Sequence, residues 1–142
     1  MLTPLRRISV PKGDVLHAIR ASDPGFAGFG EAYFSLVYSG AVKGWKRHRR
    51  MTMNLIVPHG AVRFVIHDES AADGTPERFR AYTLSPDAAE TYARLTVPPG
   101  LWMAFQGRGE GANLLLNFAS IEHDPEEADN RPLDAFAYDW AS

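Results

Sequence analysis

The sequence contains no cysteine, and this excludes three kinds of site at once. A disulfide framework, a thiolate nucleophile and a Cys-ligated zinc or iron–sulfur centre all require sulfur that the chain does not have. Long hydrophobic runs are also missing, and the first residues do not form the apolar core of a signal peptide. We therefore expect a cytoplasmic protein with no membrane partner.

A strong net charge of either sign is lacking as well. The 142 residues carry a formal net charge of −2, with 45% hydrophobic and 23% charged residues. This balance is typical of globular proteins and provides no overall attraction to nucleic acid. At this length we expect one domain, residues 1–142, that buries a core without disulfides or metal ions.

Segments of helical composition are scarce. Residues 87–92 are too few to anchor a layer, and residues 125–129 could form one further turn. Short alternating apolar runs separated by Gly and Pro favour an all-β sandwich or barrel, either a double-stranded β-helix (jelly roll) or an unrelated small barrel. The aromatic tail around Tyr138 and Trp140 is expected to pack back onto the domain or a partner. The predicted strands are residues 6–10, 15–21, 32–38, 42–50, 53–57, 62–68, 78–84, 93–97, 101–106 and 113–119.

One segment concentrates positive charge. Five of the eight residues from Lys43 to Arg50 are Lys or Arg, and His48 lies among them. Such a face could grip and protonate an anionic ligand inside a barrel mouth, or it could be a solvated outer face. If residues 42–54 form one extended strand, alternation places on one face Lys46, His48, Arg50, Thr52 and Asn54.

Two histidines are candidates for acid–base chemistry. His48 is the stronger one, because its ordinary pKa lies near neutrality and nearby cations favour its neutral, proton-accepting form. His123 begins the segment His-Asp-Pro-Glu-Glu, where Asp124 could orient the ring or cap a short helix. Either use of Asp124 is compatible with the sequence.

A metal site is not expected. Jelly rolls that hold a metal often use a His-x-His pair followed by a Glu, but here Lys46 occupies the first position of the pair. A protonated lysine repels a divalent cation, and no Glu occurs between Lys43 and Asp68. We therefore expect neither a metal nor another cofactor.

Five segments of the sequence form a recognisable series. In chain order they are KGWKRHRRMT (43–52), Asp68 at a strand end, VPPGLWMAF (97–105), HDP (123–125) and YDW (138–140). Together they resemble the short branch of the dTDP-4-dehydrorhamnose 3,5-epimerase family. The resemblance covers roughly residues 33–140 and implies a cupin jelly roll, a homodimer and metal-independent chemistry on a nucleotide-linked 4-keto-6-deoxy sugar. In that chemistry a proton leaves one face of the sugar and another returns to the opposite face.

The resemblance also implies a set of site residues. Lys43 stands where the family's Lys or Arg contacts the nucleotide sugar, and Lys46 stands where its catalytic His normally lies. His48 matches the second histidine of a Gly-Trp-His-x-His form. A basic role for Lys46 would require its pKa to fall well below the usual value of about 10.4.

Other positions depart from the long branch of the family. Asn54 stands where that branch has an active-site lysine, His123 where it has a tyrosine acid, and Met103 where it has a histidine. The carboxylate partner of a catalytic histidine stays open among Asp68, Asp124 and Asp139. The predicted catalytic residues are His48, Lys46 and His123, and the predicted substrate-binding residues are Lys43, Arg50, Asn54 and Trp102.

The leading hypothesis is a nucleotide-sugar epimerase or isomerase. Related 3,4-ketoisomerases share a Gly-x-His-x-His segment, so a different proton transfer on a similar sugar stays open. The main alternative is a non-catalytic sugar-nucleotide binder that has lost the catalytic His, and a third is a structural or regulatory cupin that binds an unrelated carboxylate.

Overall fold

The computed structural model describes all residues, Met1–Ser142. None of its helices has the length and hydropathy needed to cross a membrane. Two single-turn 3₁₀ helices span Pro125–Glu127 and Leu133–Ala135. The strands are β1 Leu2–Pro4, β2 Arg7–Ile8, β3 Val15–Leu16, β4 Glu31–Tyr38, β5 Val42–His48, β6 Met53–His59, β7 Val62–His67, β8 Phe79–Leu84, β9 Ala93–Val97, β10 Trp102–Gly107, β11 Ala112–Ala119 and β12 Ala128–Asn130.

Two five-stranded antiparallel sheets face each other. The first sheet has the order β1-β9-β6-β11-β4, and the second has the order β12-β5-β10-β7-β8. Consecutive strands such as β4 and β5, or β6 and β7, lie in opposite sheets, so the chain passes repeatedly between the two layers. The predicted all-β jelly-roll fold of the cupins is confirmed.

Alternation along the strands builds the core between the sheets. In β11, Asn113, Leu115 and Asn117 are buried, whereas their neighbours are half-buried on the other side of the sheet. Leu55 of β6 and Phe64 of β7 join the same core. Because successive side chains of a strand point to opposite faces, the period-two pattern fixes which residues can reach a cavity between the layers.

The chain before β4 differs from its prediction. The strands expected at 6–10 and 15–21 shorten to a separate two-residue pairing of β2 with β3. The following segment instead lies over the outer side of the first sheet, where Ala18 and Pro24 offer backbone oxygens to the buried guanidinium of Arg94. These oxygens are then not available for a sheet ladder.

Other short elements were missed or predicted only in part. Strands β1 and β12 have three residues each and were not predicted, since three residues show no alternation. Residues 87–92, the stretch of helical composition that was judged too short to anchor a layer, form turns. The turn expected near 125–129 is confirmed in part as a 3₁₀ helix, and the Asp124 side chain caps it by accepting from the Glu126 N–H.

The C-terminal tail packs back onto its own chain, which is one of the two arrangements predicted for it. Phe136 and Trp140 contact the buried ring of Trp45 on the outer side of the second sheet. Arg63 fixes the end of the tail by donating to the backbone oxygens of Trp140 and Ser142. The tail thereby covers an aromatic face that water would otherwise reach.

Candidate functional site

A cavity of about 390 Å³ lies between the two sheets. Its walls combine polar groups with apolar side chains, which is the usual composition of a small-molecule site. The second sheet contributes Lys43, Gly44, Lys46, His48, Met103, Phe105 and Asn130, and the first sheet contributes Tyr33, Ser35, Met53, Leu55, Leu115 and Asn117.

A bulge in β5 brings both lysines to this cavity. Met103 lies opposite Lys46 and Phe105 lies opposite Lys43, so β5 advances three residues where β10 advances two. Such an extra residue moves one side chain to the face it would not reach by alternation. Lys43, Lys46 and His48 therefore share the inner face, while Trp45 is buried on the outer one.

Residues 42–54 do not form the single extended strand on which the expected polar face depended, whereas the separate strands predicted at 42–50 and 53–57 are both present with shifted ends. β5 ends at His48 and β6 begins at Met53, with a bend at Arg49 and Arg50 between them. The Arg50 side chain is exposed and forms an ion pair with Asp124 at 3.2 Å, outside the cavity lining. The bend interrupts the alternation, so the single polar face expected from the sequence does not form.

Asn54 lies on the opposite side of its strand from the cavity. Its neighbours Met53 and Leu55 line the cavity, whereas the Asn54 Oδ1 accepts from Arg94 Nε at 3.1 Å and from the Thr96 hydroxyl at 2.6 Å. Its Nδ2 donates to the Gly25 oxygen at 3.0 Å. With every polar atom bonded, Asn54 supports the layer outside the sheet, and the structure does not bring this predicted substrate-binding residue to the site.

His48 has a buried carboxylate partner, Glu127. The His48 ring is 4% exposed and Glu127 is 3% exposed. The His48 Nδ1 contacts Glu127 Oε1, and β12, which follows Glu127, pairs with β5 at His48. Because an N–H···carboxylate bond at Nδ1 fixes the tautomer, the Nε2 of the neutral ring is left as a proton acceptor at the cavity wall.

The surroundings of Glu127 keep it ionised. Burial acts to raise the pKa of Glu127, but the bonds from His48 and from the backbone N–H groups of Arg50 and Met51 outweigh it and lower the pKa below the ordinary value. The two backbone bonds measure 3.0 and 3.3 Å and both reach Oε2. A carboxylate held this way is a fixed orienting group for the imidazole.

The cavity has an uncompensated positive charge. Neither Lys43 nor Lys46 forms an ion pair, and the lining includes no Asp or Glu. No three His, Asp or Glu side chains come together in the protein in the way a metal site requires. The donor set, two ammonium groups and an imidazole, suits an anionic ligand or an enolate better than a cation.

Two further predicted residues lie away from the cavity. His123 is exposed in the segment before the 3₁₀ helix, and Trp102 is fully buried on the outer side of the second sheet. The guanidinium groups of Arg47 and Arg131 both lie over the Trp102 ring, whose Nε1 donates to Glu69 at 2.8 Å. The structure therefore brings Lys43, Lys46 and His48 together and leaves His123, Trp102, Arg50 and Asn54 outside.

None of the three aspartates considered as a partner contacts a cavity histidine. Asp68 accepts from Ser70, Asp124 caps the 3₁₀ helix, and Asp139 accepts from Ala141. The residues that sequence analysis missed are Glu127, Tyr33 and Asn117. Alternation within β4 and β11 was a usable signal for the last two, whereas nothing in the sequence pairs Glu127 with His48.

Comparison with known proteins identifies the family. A solved dTDP sugar isomerase from Desulfovibrio desulfuricans is 36% identical, with a TM-score of 0.89 over 99% of this chain and 90% of the other. The chain belongs to the family of dTDP-sugar isomerases and epimerases. This confirms the predicted resemblance and places the chain in a family of isomerase-type enzymes. No protein-family model matches the sequence.

Two other sugar epimerases are less similar in sequence. The dTDP-4-dehydrorhamnose 3,5-epimerase from Sulfolobus tokodaii is 17% identical, with a TM-score of 0.78 over 97% of this chain and 80% of the other. A probable low-salt glycan biosynthesis epimerase of Haloferax volcanii, Agl13, is 24% identical over 103 residues, or 72% of this chain. The match spans 64% of that relative's length.

Proposed function

We propose that this protein is an epimerase or isomerase of a nucleotide-linked 4-keto-6-deoxy sugar, acting in deoxysugar or polysaccharide biosynthesis. The observation that carries the proposal is the His48–Glu127 pair, buried in the wall of a cavity that also holds two unpaired ammonium groups. We further propose that the jelly roll acts as a single domain, without metal or cofactor, in the cytoplasm.

The chemistry follows from the acidity of a carbon next to a ketone. The ketone of a 4-keto sugar can delocalise the charge that forms when a neighbouring C–H bond loses its proton, and the product is an enolate. His48 Nε2 is the base, since Glu127 holds Nδ1. The enolate oxygen carries the new negative charge, and the Lys46 ammonium stabilises that charge from the same wall of the cavity.

Lys43 has a different role in this proposal. Its side chain is exposed, and its Nζ lies 5.9 Å from the centre of the Phe105 ring. An ammonium group at this position is suited to a phosphate oxygen of the nucleotide, while Phe105 offers an apolar surface. His123, Arg50, Asn54 and Trp102 have no part in the chemistry, because they lie outside the cavity.

The alternative of a non-catalytic sugar-nucleotide binder has one observation in its favour, since Lys46 occupies the position where the family resemblance implies a catalytic histidine. Variants at this position separate the two hypotheses. If Lys46 stabilises the enolate, Lys46→Met lowers turnover by about 100-fold and Lys46→His does not increase it. Activity that appears only in Lys46→His would support a degenerate site.

The direct test is hydrogen exchange in D₂O. The protein is incubated with dTDP-4-keto-6-deoxyglucose, with and without EDTA, and the C3 and C5 proton signals are followed by NMR. Loss of either signal, unchanged by EDTA, supports metal-independent proton abstraction. Line broadening of the ligand without any exchange, extended to GDP-linked 4-keto sugars, would contradict the enzyme hypothesis and favour the binder.

A homodimer is part of the proposal. Strand β4 is at the edge of the first sheet, and its outward side chains are unusually exposed for their type: Phe34 at 66%, Leu36 at 48% and Tyr38 at 65%. Contiguous exposed apolar side chains on an edge strand mark an interaction surface. Light scattering over a dilution series should show a dimer that Phe34→Lys converts to a monomer, and a wild type that stays monomeric would overturn the proposal.

A further inference from the structure

Two polar side chains of the first sheet face His48 and Lys46 across the cavity. Tyr33 of β4 and Asn117 of β11 are direct partners in the strand register. Asn117 is 2% exposed, and its Nδ2 donates to the Tyr33 phenol oxygen at 2.9 Å. Tyr33 is 41% exposed, so its ring stands at the cavity mouth, where solvent can reach it.

The Asn117 amide has an unused hydrogen-bonding atom. Its Nδ2 faces two acceptors, the Tyr33 oxygen and, at 4.0 Å, the sulfur of Met51. Its Oδ1 is buried and has no partner. An unpaired buried acceptor costs about 1–3 kcal/mol, which a ligand hydroxyl in the cavity would recover by donating to it. The unpaired oxygen therefore indicates a ligand contact at this wall.

The Tyr33 hydroxyl is similarly arranged for a ligand. Its oxygen accepts from Asn117, and its own O–H donates to no protein group. The same Asn117 N–H would stabilise the phenolate that remains after the hydroxyl gives up its proton, because hydrogen bonds to a charged form favour it. Access from the cavity mouth lets solvent restore the proton.

We propose that Tyr33 is the acid that protonates the sugar on the face opposite His48. Asn117 orients Tyr33, and its Oδ1 accepts a hydrogen bond from a sugar hydroxyl. The inference rests on the proposed function. His48 lies on the second sheet and Tyr33 on the first, so a ring bound between the sheets meets one group on each face. This placement assigns the chain to inversion at carbon, an epimerisation, rather than to proton transfer along one face.

Protons and electrons balance in this step. His48 Nε2 takes a proton from the carbon beside the ketone, and the C–H electron pair moves into the enolate. The Tyr33 O–H bond then breaks as a C–H bond forms on the other face. The phenolate takes a proton from solvent, and the imidazolium releases one, so no oxidant, reductant or cofactor enters the step.

The test separates proton abstraction from inversion. With dTDP-4-keto-6-deoxyglucose in D₂O, NMR measures the loss of the substrate C–H signal, and reduction with borohydride followed by chromatography measures the inverted sugar. We expect Tyr33→Phe to lower inversion by about 100-fold while exchange changes by less than about threefold. Tyr82→Phe, in β8 of the second sheet and outside the cavity lining, is the control and should change neither rate.

Asn117→Leu should lower the ratio of inversion to exchange, as Tyr33→Phe does. We expect inversion to fall by about tenfold and KM to rise, because both the phenol and a sugar hydroxyl lose a partner. A folding defect would lower exchange and inversion in parallel, so the ratio distinguishes positioning from structural damage. Asn117→Ser repeats the measurement with a smaller side chain if the leucine variant does not fold.

The outcomes distinguish the inference from the function on which it rests. Parallel loss of exchange and inversion in a folded Tyr33→Phe protein, or no loss of either, overturns the role of Tyr33. A wild-type protein that exchanges but never inverts overturns the acid on the opposite face and leaves the isomerase intact. A wild-type protein that binds 4-keto sugars without exchange overturns both.

Discussion

Glu127 follows His48 by 79 residues, yet its carboxylate contacts the Nδ1 of His48 inside the protein. The contact depends on a single 3₁₀ turn capped by Asp124 and on the three residues of β12, which pair with β5. The chain after the main jelly-roll strands therefore completes the candidate base, since without it the imidazole would have no orienting group.

Replacing this carboxylate should impair the base without unfolding the protein. In Glu127→Gln, an amide can present its NH₂ to His48 and favour the wrong tautomer, so we expect C–H exchange to fall by about 100-fold. The measurement is deuterium incorporation into the 4-keto sugar. Glu126→Gln is the control, because Glu126 is an exposed neighbour whose side chain bonds to nothing, and a comparable loss in that variant would contradict the prediction.

The same pair should make stability depend on acid pH. The pKa of Glu127 is lower in the folded protein than in the unfolded chain, so the unfolded state binds more protons as the pH falls. The stabilising contribution is fully present above the unfolded pKa of about 4.3 and is lost as the pH drops through the folded value.

Urea unfolding of wild type and Glu127→Gln between pH 7 and pH 3 measures this contribution. We expect the difference in unfolding free energy to be largest near neutrality and to shrink as the pH falls below about 4, because the pKa of Glu127 is lower in the folded protein. A difference that stays constant over this range would show that Glu127 has the same pKa in both states.

The long strands could be predicted from the sequence because Gly and Pro turns separate runs of five or more residues that are largely apolar or alternating. β7 and β9 match the expected ranges to within a residue, and β11 differs from its prediction only at its start. Local pattern fails where tertiary contacts decide, as at the bend after His48, which two backbone bonds to Glu127 hold in place. No window of sequence contains both ends of that contact.

The candidate site was also predictable only in part from local sequence pattern. Lys46 and His48 share a face by simple alternation, and both line the cavity. Lys43 joins them only because of the bulge, for which Gly44 inside a strand pattern is a recognised signal. Asn54 was predicted to bind substrate from its position in the family motif, yet it faces away from the cavity. The motif does not reveal this, because the side of the sheet that a residue faces depends on where its strand begins.

Asn54 should therefore behave as a structural residue. Asn54→Ala removes the acceptor shared by Arg94 and Thr96, and it leaves the fully buried guanidinium of Arg94 with one donor unpaired. We expect a loss of about 2 kcal/mol in unfolding free energy, measured in urea, with the KM for the sugar nucleotide unchanged. A raised KM at unchanged stability would return Asn54 to the substrate site.

Gly44 links the candidate site to the C-terminal tail. A Cβ added there would lie 2.8 Å from Leu133 Cδ2 and 3.0 Å from Leu133 Cγ, so Gly44→Ala should push Leu133 off β5. The φ angle of Gly44 is not in the left-handed region, which makes the cost steric, and we expect about 1–2 kcal/mol of destabilisation in urea.

A second substitution tests this cause. Leu133→Ala removes the atoms in conflict, so the double variant should be destabilised by less than the sum of the two single variants. Trp45 reports the same event, because its Nε1 donates to the Leu133 oxygen at 3.2 Å and its fluorescence should shift when that segment moves. Strictly additive energies would mean that Gly44 is required for some reason other than the passage of Leu133 across the strand.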